Sequence, residues 1–393
     1  MTDRWLLPEG VEGLLPQPAE YLEQLRRQLL DLFHTYGYEL VMPPLIEYLD
    51  SLLVGTGNDL DLQTFKIIDQ HTGRLMGLRA DMTPQVARID AHQLRRETPS
   101  RLCYMGTVLH ARAEQGSSRT PLQVGAELYG HPGAESDVEI LSLMLEMMAE
   151  VGLQGVSVDL GHVGIFRGLS EQAGLSDEQE QLLFDALQRK SKPEISEYLA
   201  SSDINDDIAQ MILALVDLNG GADVIERARV VLAKASASVH QAIANVADIA
   251  NQVQQRNPEV VLHYDLAELR GFNYHTGVVF AAYLPGCAQA IAQGGRYDDI
   301  GKVFGNARPA TGFSADLKLM VAQLNSNLHN ISAILAPYGD NATLRDAIKA
   351  LRLQGERVIE ALPGQNVNAI EMACDRVLVN DNGSWTVIEA ENS

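Results

Sequence analysis

The chain has 393 residues, 46% of them hydrophobic, three cysteines and a formal net charge of −22 at pH 7. The length exceeds one ordinary core, so two or three domains are expected, and the acidic excess argues against an extended nucleic-acid surface, whose affinity needs clustered Lys and Arg. No apolar run reaches the ~18–20 residues of a membrane span, MTDRWLLPEG lacks the basic-then-apolar order of a secretory signal, and distant, odd-numbered cysteines imply no disulfide framework; a reduced, cytoplasmic protein is expected.

From Pro18 to Tyr36, apolar residues recur at Leu22, Leu25, Leu29, Leu32 and Phe33, a helical period that stops before Gly37. YGYELVMPPLIEY then reads as an extended segment broken by a proline pair. TFKII, GRLMGLR, RLCYMGTVLH and LQVGAELYG alternate between turn residues and predict an antiparallel sheet. Residues 137–151 predict a helix with its methionines on the buried stripe, and VSVDLGHVG (156–164) predicts another strand.

Residues 165–257 carry helical patterns such as EQEQLLFDALQ and VIERARVVLAKA, and no strand is expected there. Asn219-Gly220-Gly221 reads as a helix end. Strand-like composition returns at 258–284 and 288–293, and a helix is expected near 314–327. After the Asn-rich NSNLHN, the stretches ISAILAPYG, TLRDAIKALRLQG and ERVIEAL read as β–α–β, with RVLVN and WTVIEA as further strands. The expected division is a core in two parts (1–164 and 258–325), a helical insertion (165–257) and a small C-terminal α/β domain (326–393).

Four stretches are unusually polar for strands. In LRADMTPQ, Arg79 and Asp81 are two apart, and in QVGAELYG, Gln123, Gly125 and Glu127 are too, so each set would share a strand face. ELRGFNYHTGVVF and QGGRYDDI are the others, and the paired glycines of the second let a backbone approach a ligand. A face with Asp81, Gln123 and Glu127 could hold an α-ammonium group, and Arg270 would suit the carboxylate of the same molecule. The plainer reading is that each polar group satisfies a neighbour in the sheet. The spacing of the histidines and cysteines suggests no metal site.

The order of these motifs is more informative than any one of them. A helix, GYELVMPP, LRADMTP, RLCYMGTVLHAR, LQVGAELYG, a helical insertion, LRGFNYHTGVVF, GGRYDD and PATGFSADLKLM together resemble the catalytic core of a histidyl-tRNA synthetase over roughly residues 5–325. The resemblance implies an α+β fold of the class II aminoacyl-tRNA synthetase type, an antiparallel sheet flanked by helices. It also implies self-association through GYELVMPP, with Pro44 at the place of the class II motif proline. By the same resemblance, Asp81, Gln123 and Glu127 match positions that hold the amino and imidazole groups of histidine. Asp81 stands where the synthetases place the longer Glu. Arg270 matches their catalytic arginine and Tyr274 the first tyrosine of Arg-Gly-Leu-Asp-Tyr-Tyr, whereas the second tyrosine is His275.

The ATP side departs further from the synthetase pattern. Where those enzymes have Phe-Arg-x-Glu, whose arginine clamps the α-phosphate, this sequence has Leu109-His110-Ala111-Arg112. Where they end Gly-Leu-Glu-Arg, it has Asp316-Leu317-Lys318-Leu319, so Leu319 replaces the γ-phosphate arginine. Lys318 lies one residue away, on a helix that turns it roughly 100° aside. Losing one preorganised donor costs about 2.7–4 kcal/mol of transition-state stabilisation, so two additive losses would slow adenylation roughly 10⁴-fold.

A synthetase-like core with its ATP clamp dismantled and a shortened C-terminal region resembles the family of ATP phosphoribosyltransferase regulatory subunits. The resemblance implies a non-catalytic chain without a cofactor. It would assemble with the short-form catalytic subunit, usually as a hetero-octamer, activate it, and take part in feedback inhibition by histidine. The acid-rich insertion and small C-terminal region point away from tRNA as a substrate. A synthetase-derived ligase that makes an aminoacyl-adenylate without tRNA is the enzymatic alternative. A sensor of uncharged tRNA is the binding-module alternative.

Overall fold

The computed structural model describes residues 5–54, 58–112, 118–268, 271, 274–324, 332–364 and 368–390. Its contacts divide the chain into two units, one of Met1–Gly13 with Leu22–Leu324, the other of Leu14–Tyr21 with Asn325–Ser393.

The long helix α1 (Pro16–Thr35) buries Leu22, Leu25, Leu29 and Phe33, the period read from the sequence, and leads to the short strand β1 (Glu39–Leu40). The proline pair then separates β1 from β2 (Ile46–Tyr48). Short helices α2 (Leu49–Leu52) and α3 (Asn58–Gln63), strands β3 (Phe65–Ile68) and β4 (Leu75–Leu78), and helix α4 (Thr83–Arg88) follow. Then come β5 (Ser100–Thr107), β6 (Leu122–Tyr129), α5 (Ala134–Val151) and β7 (Ser157–His162). The insertion contributes α6 (Val163–Ala173), α7 (Asp177–Gln188), α8 (Lys192–Ala200), α9 (Asp206–Ala214), β8 (Asn219–Gly220), α10 (Asp223–Val231) and α11 (Ala237–Arg256). Strands β9 (Val261–Asp265), β10 (Val278–Tyr283), β11 (Ala292–Arg296) and β12 (Ala310–Asp316) return to the core, which ends with α12 (Leu317–Ala322).

These strands form a nine-stranded sheet in the order β1-β5-β6-β12-β11-β10-β7-β9-β8. It is antiparallel except where β1 meets β5 and β7 meets β9. The interior strand β6 is buried almost throughout, because α5 packs against it and its other face turns to the cavity described below. Helix α5 begins at the extended Gly133 and stops at Gly152, which takes a left-handed φ of 92° that a side chain would resist. The methionines Met144, Met147 and Met148 are fully buried, as its stripe suggested.

Three local expectations change. TFKII and GRLMGLR are strands, but they form a separate three-stranded sheet with β2, in the order β2-β4-β3, rather than joining the large one. Alternation reports a half-buried strand, not its neighbour. Asn219–Gly220 is not only a helix end, since it pairs antiparallel with Asp265 and Tyr264 at the sheet edge. The helix expected from residue 314 starts at Leu317, because residues 310–316 form β12 between β6 and β11. Its Thr-Gly-Phe-Ser-Ala alternation is too short and too glycine-rich to stand out.

The second unit holds β13 (Ile334–Ala336), α13 (Ala342–Leu353), β14 (Val358–Glu360), β15 (Arg376–Asp381) and β16 (Ser384–Glu389). Its sheet runs β14-β13-β15-β16, and Ile334, Leu344, Ile348, Val358 and Leu378 make its core. No described helix is long and apolar enough to cross a membrane.

Candidate functional site

The register of the central strands hollows out one face of the sheet. Glu127 on β6 lies opposite Gly312 on β12, and Gly125 lies opposite Tyr104 on β5. A Cβ on Gly312 would overlap the Glu127 carboxylate, and one on Gly125 would overlap the Tyr104 hydroxyl and lie 2.6 Å from the Phe313 carbonyl oxygen. The two bare Cα atoms therefore make room for a carboxylate and a phenol beneath a cavity of about 720 Å³.

Glu127 forms its floor, 1% exposed. Tyr104 donates to its Oε1 at 2.9 Å and Tyr297 donates to its Oε2. Tyr104 also meets the Thr83 hydroxyl at 2.9 Å. Burial is the dominant influence and pushes the Glu127 carboxyl up to about 8, despite two tyrosine donors that favour the anion. A buried carboxylate met only by neutral hydroxyls and facing the charge of Asp81 is a costly group, which a ligand donor or cation would relieve.

Above the floor, Tyr274 stacks on Tyr297 with centroids 5.0 Å apart, and the His275 ring meets Tyr274 edge-on at 5.3 Å. The Tyr274 hydroxyl is buried and has no hydrogen-bond partner among the described residues. His275 Nδ1 lies 3.3 Å from the Arg296 carbonyl oxygen, and enclosure pushes its imidazole down to about 4, so it is neutral at pH 7. The tight turn before it uses Gly271 at φ 65°, where a Cβ would sit 2.7 Å from the His275 ring.

Of the residues singled out in the sequence, Asp81, Glu127, Tyr274 and His275 line this cavity. Gln123 stands behind Asp81: its Nε2 donates to Asp81 Oδ1 at 2.7 Å, and its Oε1 accepts from the Met82 amide at 2.9 Å. Arg270 lies outside the described residues. Asp81 follows β4 in a turn instead of sharing a strand face with Arg79, and its Oδ1 also accepts from the Thr83 amide at 3.0 Å. Arg79 is buried and ties two backbones together, donating to the Thr107 and Pro43 carbonyl oxygens at 3.0 and 2.6 Å.

Sequence reading missed Tyr104, Tyr297 and the wall supplied by α7, where Gln181, Phe184 and Asp185 line the cavity. A tyrosine in a strand reads as core. Only the glycine opposite Tyr104 signals that a hydroxyl occupies the space of a side chain.

On the side matching the synthetases' ATP clamp, the polar groups are bonded to the chain itself. His110 Nε2 lies 3.0 Å from the Ala80 carbonyl oxygen. Asp316 caps α12, its Oδ1 accepting from the amides of Leu122 and Lys318, both at 3.0 Å. Lys318 donates to the Thr120 carbonyl oxygen at 2.8 Å, and Leu319 offers no charge. A triphosphate would have to displace these bonds and face the Asp316 carboxylate.

A family model described as histidyl-tRNA synthetase matches residues 10–320, and one described as ATP phosphoribosyltransferase subunit HisZ C-terminal domain matches residues 331–388. The chain is 57% identical over 394 residues to an ATP phosphoribosyltransferase regulatory subunit from Thioalkalivibrio sulfidiphilus, covering 99% of this chain and 100% of that one. It is also 57% identical to one from Alkalilimnicola ehrlichii, over 98% of this chain and 97% of the relative. Among solved structures, an ATP phosphoribosyltransferase regulatory subunit/histidyl-tRNA synthetase from Bacillus halodurans C superposes with a TM-score of 0.82 at 28% identity, covering 95% of this chain and 97% of that one. The expected class II synthetase-like fold is therefore the observed one. With full-length relatives at this identity and both family models matched, the chain belongs to the family of ATP phosphoribosyltransferase regulatory subunits.

Proposed function

We propose that this chain is the non-catalytic regulatory subunit of ATP phosphoribosyltransferase in cytoplasmic histidine biosynthesis. It assembles with the short-form catalytic subunit as a hetero-octamer, activates it, and carries the histidine that inhibits the complex. One contrast carries the reading. The amino-acid side of the cavity keeps Asp81, Glu127 and a buried Tyr274 hydroxyl with no partner among the described residues, while the clamp positions hold His110, bonded to a carbonyl, and Leu319.

A retained pocket regulates only if its ligand distinguishes two states of the assembly. Histidine placed on Glu127 and Tyr274 would do so by favouring the less active arrangement. The chain needs no cofactor for this role, and tRNA is not its substrate.

The test is phosphoribosyl transfer from PRPP to ATP by the short catalytic subunit, with this chain titrated in, with and without histidine. A saturable rise in rate that histidine suppresses is the expected result. An unchanged rate, with no complex by ultracentrifugation, would overturn the proposal. The chain alone should also show histidine-dependent ATP–pyrophosphate exchange at least about 10⁴-fold below that of a histidyl-tRNA synthetase. Exchange at synthetase-like rates would restore the ligase reading.

A further inference from the structure

Glu127 accounts for one end of the cavity, and the strand register sets a second polar group beside it. Residues directly opposed across a sheet share a face, and so do residues two apart on one strand. Gly312 is opposite Glu127, so Ser314, two residues further along β12, faces the cavity as well. Ser314 is itself opposite Gly125 on β6 and Gln293 on β11, and Gln293 is opposite Ala281 on β10. The row Gly125–Ser314–Gln293–Ala281 therefore crosses the sheet one pleat repeat, about 7 Å, from the row of Glu127. Ser314, Gln293 and Ala281 all line the cavity.

Both strands are interior ones, and their other face is apolar, with Ala292, Phe313 and Ala315 buried. On the cavity face, the row ends in the small residues Gly125 and Ala281, so nothing within the row covers the Ser314 hydroxyl or the Gln293 amide. Ser314 is half-buried and Gln293 is exposed. The two flanks of Gly125 differ in charge. On the β5 flank, Thr83 meets the Tyr104 hydroxyl, and Asp81 accepts from the Thr83 amide and from Gln123 Nε2. On the β12 flank, the row offers one hydroxyl and one carboxamide, each able to donate and neither charged. Asp316, the next residue of β12 on this face, is engaged in capping α12.

We propose that Ser314 and Gln293 read the carboxylate of the bound amino acid, and that this pair makes the site select an α-amino acid over the amine that lacks the carboxylate. The inference rests on the reading of the cavity as a histidine site. With the ring on Glu127 and the ammonium on Asp81, the α-carbon of the ligand lies over Gly125, where only a bare Cα stands beneath it. Amino and carboxyl groups leave an α-carbon in different directions. With the first turned to the β5 flank, the second turns to β12 and meets the Ser314 hydroxyl and the Gln293 amide. A carboxylate carried one row further would face the Asp316 carboxylate, so the row of Gly125 is its place. The pair does not replace Arg270, whose chemistry suits the same carboxylate; it adds two neutral donors on the flank away from Asp81.

The experiment is calorimetry on the full chain, alone and with the short catalytic subunit, using L-histidine and histamine. Histamine keeps the ring and the ammonium but has no carboxylate. Ser314→Ala combined with Gln293→Ala should weaken histidine about 10-fold or more and leave histamine within about 2-fold of the parent. Gln293→Glu, of nearly the same volume, should weaken histidine at least as much, while histamine binds no more weakly, because a new negative charge repels only the ligand with a carboxylate. Both side chains stand on the cavity face rather than in the packed core, so the variants keep the fold. If the variants bind histidine as the parent does, the carboxylate is held elsewhere, and the inference is overturned while the histidine reading stands. If histidine and histamine weaken alike, the pair acts only through the shape of the cavity, and the inference is again overturned. If the parent binds no histidine in either setting, the inference and the histidine reading fall together.

Discussion

Replacing Arg296 by leucine should lower the stability of the synthetase-like unit by about 3–5 kcal/mol, read as a lower urea midpoint at unchanged slope. Arg296 closes β11, and its guanidinium is nearly enclosed. It donates through Nε and Nη2 to Asp137 Oδ2 at 3.1 and 2.8 Å, and through Nη2 to the Ser136 hydroxyl at 2.8 Å and the Gly133 carbonyl oxygen at 3.1 Å. Asp137 is fully buried in the first turn of α5, so losing the arginine strands a charge that no solvent reaches. The pair itself is not expected to be a large net stabiliser, because its desolvation offsets most of the attraction. The double variant Arg296→Leu with Asp137→Leu should therefore recover most of the loss, and its failure to do so would show that the bonds to the Gly133 carbonyl oxygen and, at 3.3 Å through Nη1, the His131 carbonyl oxygen dominate. The effect should also reach the cavity. The Arg296 backbone carbonyl receives the Thr276 amide at 2.7 Å and lies against His275 Nδ1, and Tyr297 follows it directly.

How much of this was legible in the sequence depends on what each element packs against. Helices α1 and α5 and strands β5 and β6 have one partner surface each, or a long run, and their periods stand out. Strand β12 does not stand out, because it is buried between two strands and its Gly312 is chosen by the Glu127 carboxylate opposite rather than by any local preference. In the cavity, charged residues in strand-like contexts drew notice, and Asp81 and Glu127 do line it. Tyr104 is inconspicuous because an aromatic side chain in a strand is ordinary, and Tyr297 because it directly follows one, until their hydroxyls are seen donating to a buried acid. Helix α7 was hidden for the opposite reason. Its EQEQLLFDALQ pattern explains itself as an acid-rich surface helix, and nothing in that pattern says its polar face meets a cavity.

Replacing Gly312 by alanine should destabilise the core by about 1–3 kcal/mol through overpacking and, on the proposed reading of the cavity as a histidine site, weaken histidine binding by at least about 100-fold. The added Cβ would overlap Oε2 of Glu127 and lie 2.8 Å from the Ala126 carbonyl oxygen. A flexible side chain could swing away, but Glu127 is held on both oxygens by buried tyrosines, and the backbone of β6 is fixed in register between β5 and β12. The floor must therefore shift as a block, taking the Tyr297–Tyr274 stack with it. Glu127→Gln separates this steric effect from a charge effect, because it keeps the volume and removes the titration. The Glu127 carboxyl lies at about 8 in the fold against an ordinary value of 4.5. A raised acid favours the folded state fully below pH 4.5, and that contribution is lost as pH rises toward about 8. Stability of the parent chain relative to Glu127→Gln should therefore fall across this window, by at most about 1.4 kcal/mol per pH unit. Parallel stability curves for the two chains between pH 5 and pH 8 would mean that Glu127 is already ionised in the empty cavity. Saturating histidine should flatten the slope, since a donor placed on the carboxylate favours its charged form and draws the carboxyl back toward its ordinary value.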